Sequence, residues 1–437
     1  MLDDPFGIDR RLGEAARAWL AWRQALRRGA GADHRFERLG GFASATLVRE
    51  LREASSVDPL APALARWAHR LHLEHATREL TVARERAYRN ERHALSSPSG
   101  QFTLRELLDG ILDGTRGTRR AYLDGLGAHA AAAADYELRR WERRVELSNA
   151  LGDASPDVVE LPADDLDARA LGFLEQTDDA LAALGARDGA SLVEAALGRG
   201  GAASWPSRLT ARSLAGLFDE ARWLDHVAPN VEELPRAFGA SSFLRGLASF
   251  GAALRTALAP TSLPFAVAHD PFDLPGTTFG ALLALVPLGR SFAARKLGVP
   301  RAGFDDHRRV LSRALLVGAR VLALRVSSRT ATLAGARRLR EAHTELVPRA
   351  LGIELDRRTA GVLVRSRVAD PQRLAGLFIA AEQAVRLEQV HDEDWYRNPR
   401  AVEELRETAR QSAPTNASET ILERGSIELA RLLGIAV

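Results

Sequence analysis

Residues 247–265 read LASFGAALRTALAPTSLPF, and the nature of this helix decides how the rest of the chain is read. Phe243, Leu247, Phe250, Leu254 and Leu258 recur at spacings of four, three, four and four, which predicts an α-helix over 241–259 with one buried seam. Gly251 and Arg255 lie four apart, so they project from one side of that helix, with Ala252 beside them. On its own the stretch is an Ala-rich core helix.

Outward from it, the same periodicity predicts helices at roughly 9–28, 44–54, 60–92, 103–113, 117–150 and 165–184, then 276–298, 304–326, 329–346, 356–366, 370–390, 399–411 and 417–434. Gly152 and Gly185 read as left-handed stops, and Asn398–Pro399 as a cap and first helical residue. Asp164 or Asp165, and Asp305 or Asp306, are the expected acids at two other helix starts. Short strands are expected only around 157–161 and 264–268. The fold class is therefore mainly α, a large helical body with a cleft and minimal β. The connector GDASPDVVELPADD divides it into an N-terminal helical domain, 1–152, and a second helical domain, 153–437.

Composition narrows the function classes. Sixty basic residues against 57 acidic ones give a net charge of only +3. Stretches such as ARRLREAH and ELRRWERRVEL alternate sign at helical spacing and read as solvated, ion-paired faces, so nucleic acid is not the expected partner. Cysteine is absent, which excludes disulfides, thiolate zinc sites and cysteine nucleophiles. The start, MLDDPFGIDRR, has no apolar signal-peptide core, and the longest apolar run, FGALLALVPLG at 279–289, is too short to span a bilayer. A cytoplasmic protein without membrane association is expected. GARDGASLVEAALGRGG lacks both the P-loop lysine and the dinucleotide pattern, and no serine sits in a G-x-S-x-G turn.

The neighbours of the opening helix give it a context. Phe250, the small residues after it, a further helical turn, then LPF and a second apolar helix resemble the thimet oligopeptidase and oligoendopeptidase class of zinc peptidases. HDEDWYRNPRAVEELRETA at 391–409 is similar to that class's D-E-D-W-[WY]-R-N-P stretch, and DLDARALGFLEQT at 165–177 to its D-L-x-x-x-A-x-x-F-L-x-x-T segment. The resemblance implies a helical peptidase body with a zinc-binding F-H-E-x-G-H helix and a third, glutamate ligand from the next helix. In such a site two histidines one turn apart chelate zinc and the glutamate activates its water.

Carried onto this chain, the first histidine falls at Gly251, the general base at Ala252, the second histidine at Arg255, and the third ligand at Thr277 or Thr278. Gly and Ala offer no donor atom, and a guanidinium does not bind a cation. No histidine anywhere is followed by Glu, no acid occurs from 274 to 304, and none of Tyr88, Tyr122, Tyr136 or Tyr396 lies between this helix and residue 390. The short PRAFGASSFLRG ahead of the helix also leaves little room for the strands that pair with peptide in active relatives.

The reading is a pseudoenzyme without catalytic residues, metal or cofactor, acting as a binding or regulatory subunit. Its expected partner is an active paralogue, in a heterodimer, or a second copy of itself; a peptide is the other candidate ligand. Arg255, His269, Asp270, Asp273 and His307 are the candidate cleft-binding residues. One alternative is an enzyme with a re-purposed cleft, using His269 and Asp270 with Asp305, Asp306 and His307. Another is a helical nucleic-acid-binding protein. His69, His72, His75 and Glu74 form a further cluster, in which His75 is rotated by about 120° from the first two and polar helix positions are the simpler reading.

Overall fold

Among the described residues, twenty-one α-helices account for most of the structure, and their ends follow local chemistry. The computed structural model describes residues 4–29, 41–90, 92–153, 163–186, 188–198, 209–225, 227–231, 234, 239–270, 273–410 and 418–434. The first half contains α1 (Pro5–Arg28), α2 (Ala45–Ala54), α3 (Ala61–Ala76), α4 (Arg78–Asn90), the hairpin β1 (His93–Ser96) and β2 (Ser99–Phe102), α5 (Leu104–Asp113), α6 (Arg116–Asn149), α7 (Ala163–Gln176), α8 (Asp178–Leu184), α9 (Gly189–Leu197) and α10 (Ala211–Ala215). The second contains α11 (Ala240–Leu258), α12 (Phe265–Ala268), α13 (Leu274–Leu285), α14 (Arg290–Lys296), α15 (Phe304–Ser327), α16 (Arg329–Leu333), α17 (Ala336–Leu351), α18 (Ala360–Leu363), α19 (Asp370–His391), α20 (Pro399–Arg410) and α21 (Glu419–Gly434). A mainly α body is thus what the sequence folds into. Among the described residues the only sheet is the antiparallel β1–β2 pair.

Several long predicted helices are broken, and threonine or serine marks the breaks. Thr77 Oγ1 donates to the Leu73 carbonyl at 2.7 Å, and Thr177 Oγ1 to the Phe173 carbonyl at 2.7 Å. This back-bonding competes with the helix ladder and bends it, so 60–92 is α3 plus α4 and 165–184 is α7 plus α8. Ser328 separates α15 from α16, its hydroxyl back-bonding to the Arg325 carbonyl at 3.0 Å and also reaching the Val364 carbonyl at 2.6 Å. The predicted 276–298 helix is α13 and α14 joined through a 3-10 turn at Val286–Leu288. The segment expected as a strand at 264–268 is instead the short helix α12, because Asp9 of α1 accepts the Phe265 and Ala266 amides at 2.7 and 2.8 Å and caps its start. The other expected strand, 157–161, and the Asp164/Asp165 cap lie where the chain's cap geometry and side chains are outside the described set. Asn398 caps α20 as expected, accepting from Arg400 N at 3.0 Å. Asp305 and Asp306 fall in the first turn of α15 rather than at its cap, which is Gly303.

The apolar side chains form two cores. The larger joins α7 to α21 and holds Phe173, Phe218, Phe243, Phe250, Phe292 and Phe378, each almost fully buried. The smaller joins α1, α2 and α3 around Trp19, Trp22 and Trp67, and takes in Ala266 of α12. The DWYRNP stretch is part of the larger one: Trp223 Nε1 donates to the Tyr396 carbonyl at 2.6 Å, and the Tyr396 and Phe292 rings meet edge to face at 5.2 Å.

At the centre of the larger core α11, α13, α19 and α21 pack backbone against backbone. A Cβ at Gly280 of α13 would fall 2.3 Å from the Ala248 carbonyl oxygen of α11. One at Gly376 of α19 would fall 2.9 Å from Thr277 Cγ2, and one at Gly425 of α21 would fall 2.1 Å from the Phe378 carbonyl oxygen. Hydrogen in place of a side chain is what permits these approaches.

Candidate functional site

The positions that the resemblance assigns to metal chemistry lie on this α11–α13 crossing. A Cβ at Gly251 would stand 2.8 Å from Gly280 Cα and 2.9 Å from the Phe279 carbonyl oxygen. No side chain fits there without parting the two helices. One turn on, Arg255 is 5% exposed, and its Nη1 lies 3.4 Å from Asp273 Oδ2. Asp273 in turn caps α13, accepting from Gly276 N at 2.9 Å. Burial pushes the Asp273 carboxyl upward, and Arg255 and the Gly276 amide oppose that push. Thr277 Oγ1 donates to the Asp273 carbonyl at 2.8 Å, while the Thr278 hydroxyl is buried against the helix crossing. A zinc ion does not fit these residues. The site offers a fixed cation, a glycine contact and two hydroxyls where imidazoles and a carboxylate are required. Among the described residues no group of three or more His, Asp or Glu side chains could hold a metal ion.

Beside the crossing lies a half-enclosed cavity of about 300 Å³ between the two halves of the chain. Ala252, Gly276 and Thr277 form one wall, His69, Arg70, Glu74 and Arg144 another, and Val368, Ala369 and Arg373 close it. Asp270 and Asp273 also face it. The positions matched to the general base and third ligand are therefore at a cavity, whereas those matched to the two histidines are built into helix packing.

The α3 and α6 wall is an arginine–carboxylate network. Glu74 receives Arg140 at 3.1 Å and Arg144 at 2.5 Å; burial disfavours its charge, but the two guanidiniums outweigh burial and hold its carboxyl well below the usual range. One turn away on α6, Glu137 binds Arg84 at 2.9 Å and Arg365 at 2.9 Å, and Arg365 sits over the Trp141 ring. Burial also pushes the Arg140 guanidinium down to about 9 and that of Arg70 to about 10. One face of ELRRWERRVEL is thus ion-paired inside the protein, with Glu137 and Arg144 6% and 7% exposed, while Arg139, Glu142, Arg143 and Glu146 on the other face are exposed as expected. Trp141 at the centre of that stretch is the sign that this face of α6 is buried.

The histidine clusters do not converge. His69 is buried near Ser148 Oγ (3.4 Å) and Asp153 Oδ2 (3.5 Å), and burial pushes it down to about 4. His72 Nδ1 instead meets the Ala43 carbonyl at 3.0 Å, and His75 is exposed. His269 stacks on Phe265 with ring centroids 4.6 Å apart, and Asp270 pairs with Arg66 at 2.6 Å. His307 is enclosed on α15, while Asp305 is exposed and Asp306 pairs with Arg309 at 2.5 Å. Arg308, next to His307, lines a different cavity with Phe304, Trp395 and Tyr396. Asp270 and His307 are thus associated with separate surroundings.

No protein-family model matches the chain, and no curated protein matches it. Among solved structures, a carboxypeptidase from Pyrococcus furiosus, described as Apo-Mg, superposes with a TM-score of 0.53 at 12% identity, covering 99% of this chain and 98% of that one. Over almost its whole length this chain shares the overall fold of that structure.

Proposed function

We propose that the chain is a non-catalytic protein on a peptidase-like frame, descended from zinc peptidases of the oligoendopeptidase kind and acting through binding as a regulatory subunit. One observation carries the reading: the position matched to the first zinc histidine, Gly251, is consumed by direct contact with the backbone of α13. A reversion of the ligands alone would not restore the site, because the helices have closed over it. The Arg255–Asp273 pair supports the same conclusion, since it places a cation where the second histidine belongs.

The partner we propose is an active paralogue carrying an intact H-E-x-x-H, with a second copy of this chain as the other option. No single helix is long and apolar enough to cross a membrane. Affinity purification of the tagged chain from its native host, followed by mass spectrometry and sizing, tests the role. A stoichiometric H-E-x-x-H chain is the expected result. A chain recovered alone and monomeric at cellular concentration contradicts the subunit role.

A further inference from the structure

A different cavity opens where the C-terminal end of α13 meets α14, α15, α19 and α21. Leu285 at its wall is two helical turns beyond Thr277, about 12 Å along α13. The space is half-enclosed and holds about 320 Å³. Leu285, Val286, Phe304 and Trp395, all buried, form its apolar floor. Two arginines, Arg290 and Arg308, and two carboxylates, Glu388 and Glu393, complete the lining. Their charges cancel in number, yet they are not spent on one another. Among the described residues none of the four has an ion-pair partner. Arg290 lies over the Phe304 ring, 5.0 Å from its centroid, and Glu393 accepts the Ser291 amide at 3.0 Å. Arg308 is half-buried, with an enclosed Nε that has no hydrogen-bond partner, so packing holds the root of its guanidinium in place.

We propose that this cavity binds a small zwitterion with an apolar side chain, a free amino acid or a dipeptide. Guanidiniums offer paired donors that match a carboxylate, and Glu388 and Glu393 accept from an ammonium. The apolar floor takes the side chain. Other ligand classes fit the lining less well. An uncharged apolar molecule would cover four charges without pairing them. A simple anion would meet the two glutamates, and a simple cation the two arginines. The interior of a long peptide carries neither terminal charge, and the volume is at the lower end of that of small-molecule sites.

L-phenylalanine and L-leucine are the probes, titrated by calorimetry into the full-length protein. 3-Phenylpropionate, which lacks the ammonium, and phenethylamine, which lacks the carboxylate, are the comparison ligands. Saturable binding of at least one amino acid is expected, with both comparison ligands weaker than phenylalanine by about tenfold or more, as loss of a charge-assisted contact produces. Arg290→Gln with Arg308→Gln is expected to weaken phenylalanine by a similar factor and leave phenethylamine unchanged. Glu388→Gln with Glu393→Gln is expected to weaken phenylalanine and leave 3-phenylpropionate unchanged. Arg338→Gln, at an exposed position outside the cavity, is expected to change nothing. Absence of saturable binding by both amino acids overturns the proposal. So does a comparison ligand that binds as tightly as phenylalanine, or a doubly substituted protein that binds phenylalanine like the parent. The non-catalytic reading stands apart from these outcomes, because zinc content and peptide turnover test it separately.

Discussion

Substituting alanine for glycine at three helical positions tests the close packing of α11 on α13. In an open helix Gly→Ala stabilises by roughly 0.5–1 kcal/mol, because glycine has more backbone freedom to lose. Gly318, inside α15, has nothing within 4 Å of a built Cβ, so Gly318→Ala is expected to show that gain. At Gly251 the new methyl would stand 2.8 Å from Gly280 Cα, so the helices must part by roughly 0.6 Å to reach the 3.4 Å of ordinary contact. Overpacking of this kind costs about 1–3 kcal/mol, which outweighs the gain in propensity. Gly280→Ala, facing a carbonyl oxygen at 2.3 Å, is expected to cost more than Gly251→Ala. Urea unfolding followed by far-UV circular dichroism reads the midpoints. The expected order is Gly318→Ala above the parent, then Gly251→Ala, then Gly280→Ala. A Gly251→Ala protein as stable as Gly318→Ala would falsify the claim that the helices have closed over this position.

Two further outcomes concern buried charge. Arg320 is fully buried and donates to the Ala350, Leu174 and Arg349 carbonyls, to Thr177 Oγ1 and to Asp178, tying the ends of α7 and α17 together. Arg320→Met strands those acceptors and is expected to cost about 3–5 kcal/mol in denaturant unfolding; a loss below about 1 kcal/mol would contradict the role. The second outcome is a pH dependence. His69 is held at about 4 against an ordinary 6.5, so between those values the unfolded chain binds a proton that the folded chain does not. Stability is complete above 6.5 and falls as pH drops toward 4, by up to about 3 kcal/mol from this residue. His129, also pushed to about 4 by burial, adds in the same direction. His69→Asn should flatten the slope of stability against pH from 6.5 to 4, and an unchanged slope would show that His69 is not the group responsible.

Much of this architecture was legible because it rests on periodicity. The seam from Phe243 to Leu258 is fully or nearly buried, and the Asn398–Pro399 start is where the pattern places it. The breaks at Thr77, Thr177 and Ser328 were not legible, since threonine and serine also occur in unbroken helices and only their tertiary setting shows which will bend. The β1–β2 hairpin was missed because HALSSPSGQF has only four residues a strand and little apolar alternation. At the site, the loss of donor atoms at Gly251, Ala252 and Arg255 could be read from residue types alone. The contact between Gly251 and Gly280 could not, because two glycines 29 residues apart carry no sign of which helices will meet. The arginine wall was hidden for a related reason: alternating charge looks the same on a wet face as on one paired inside the protein, and only Trp141 set the α6 face apart.

The central claim is that the zinc-peptidase frame persists here without a place for zinc. Incubating the purified protein with excess zinc, removing free metal and measuring bound metal by elemental analysis tests it directly, with peptide hydrolysis followed on the same sample. The account predicts no stoichiometric zinc and no chelator-sensitive cleavage. One equivalent of zinc together with turnover abolished by chelator would contradict it.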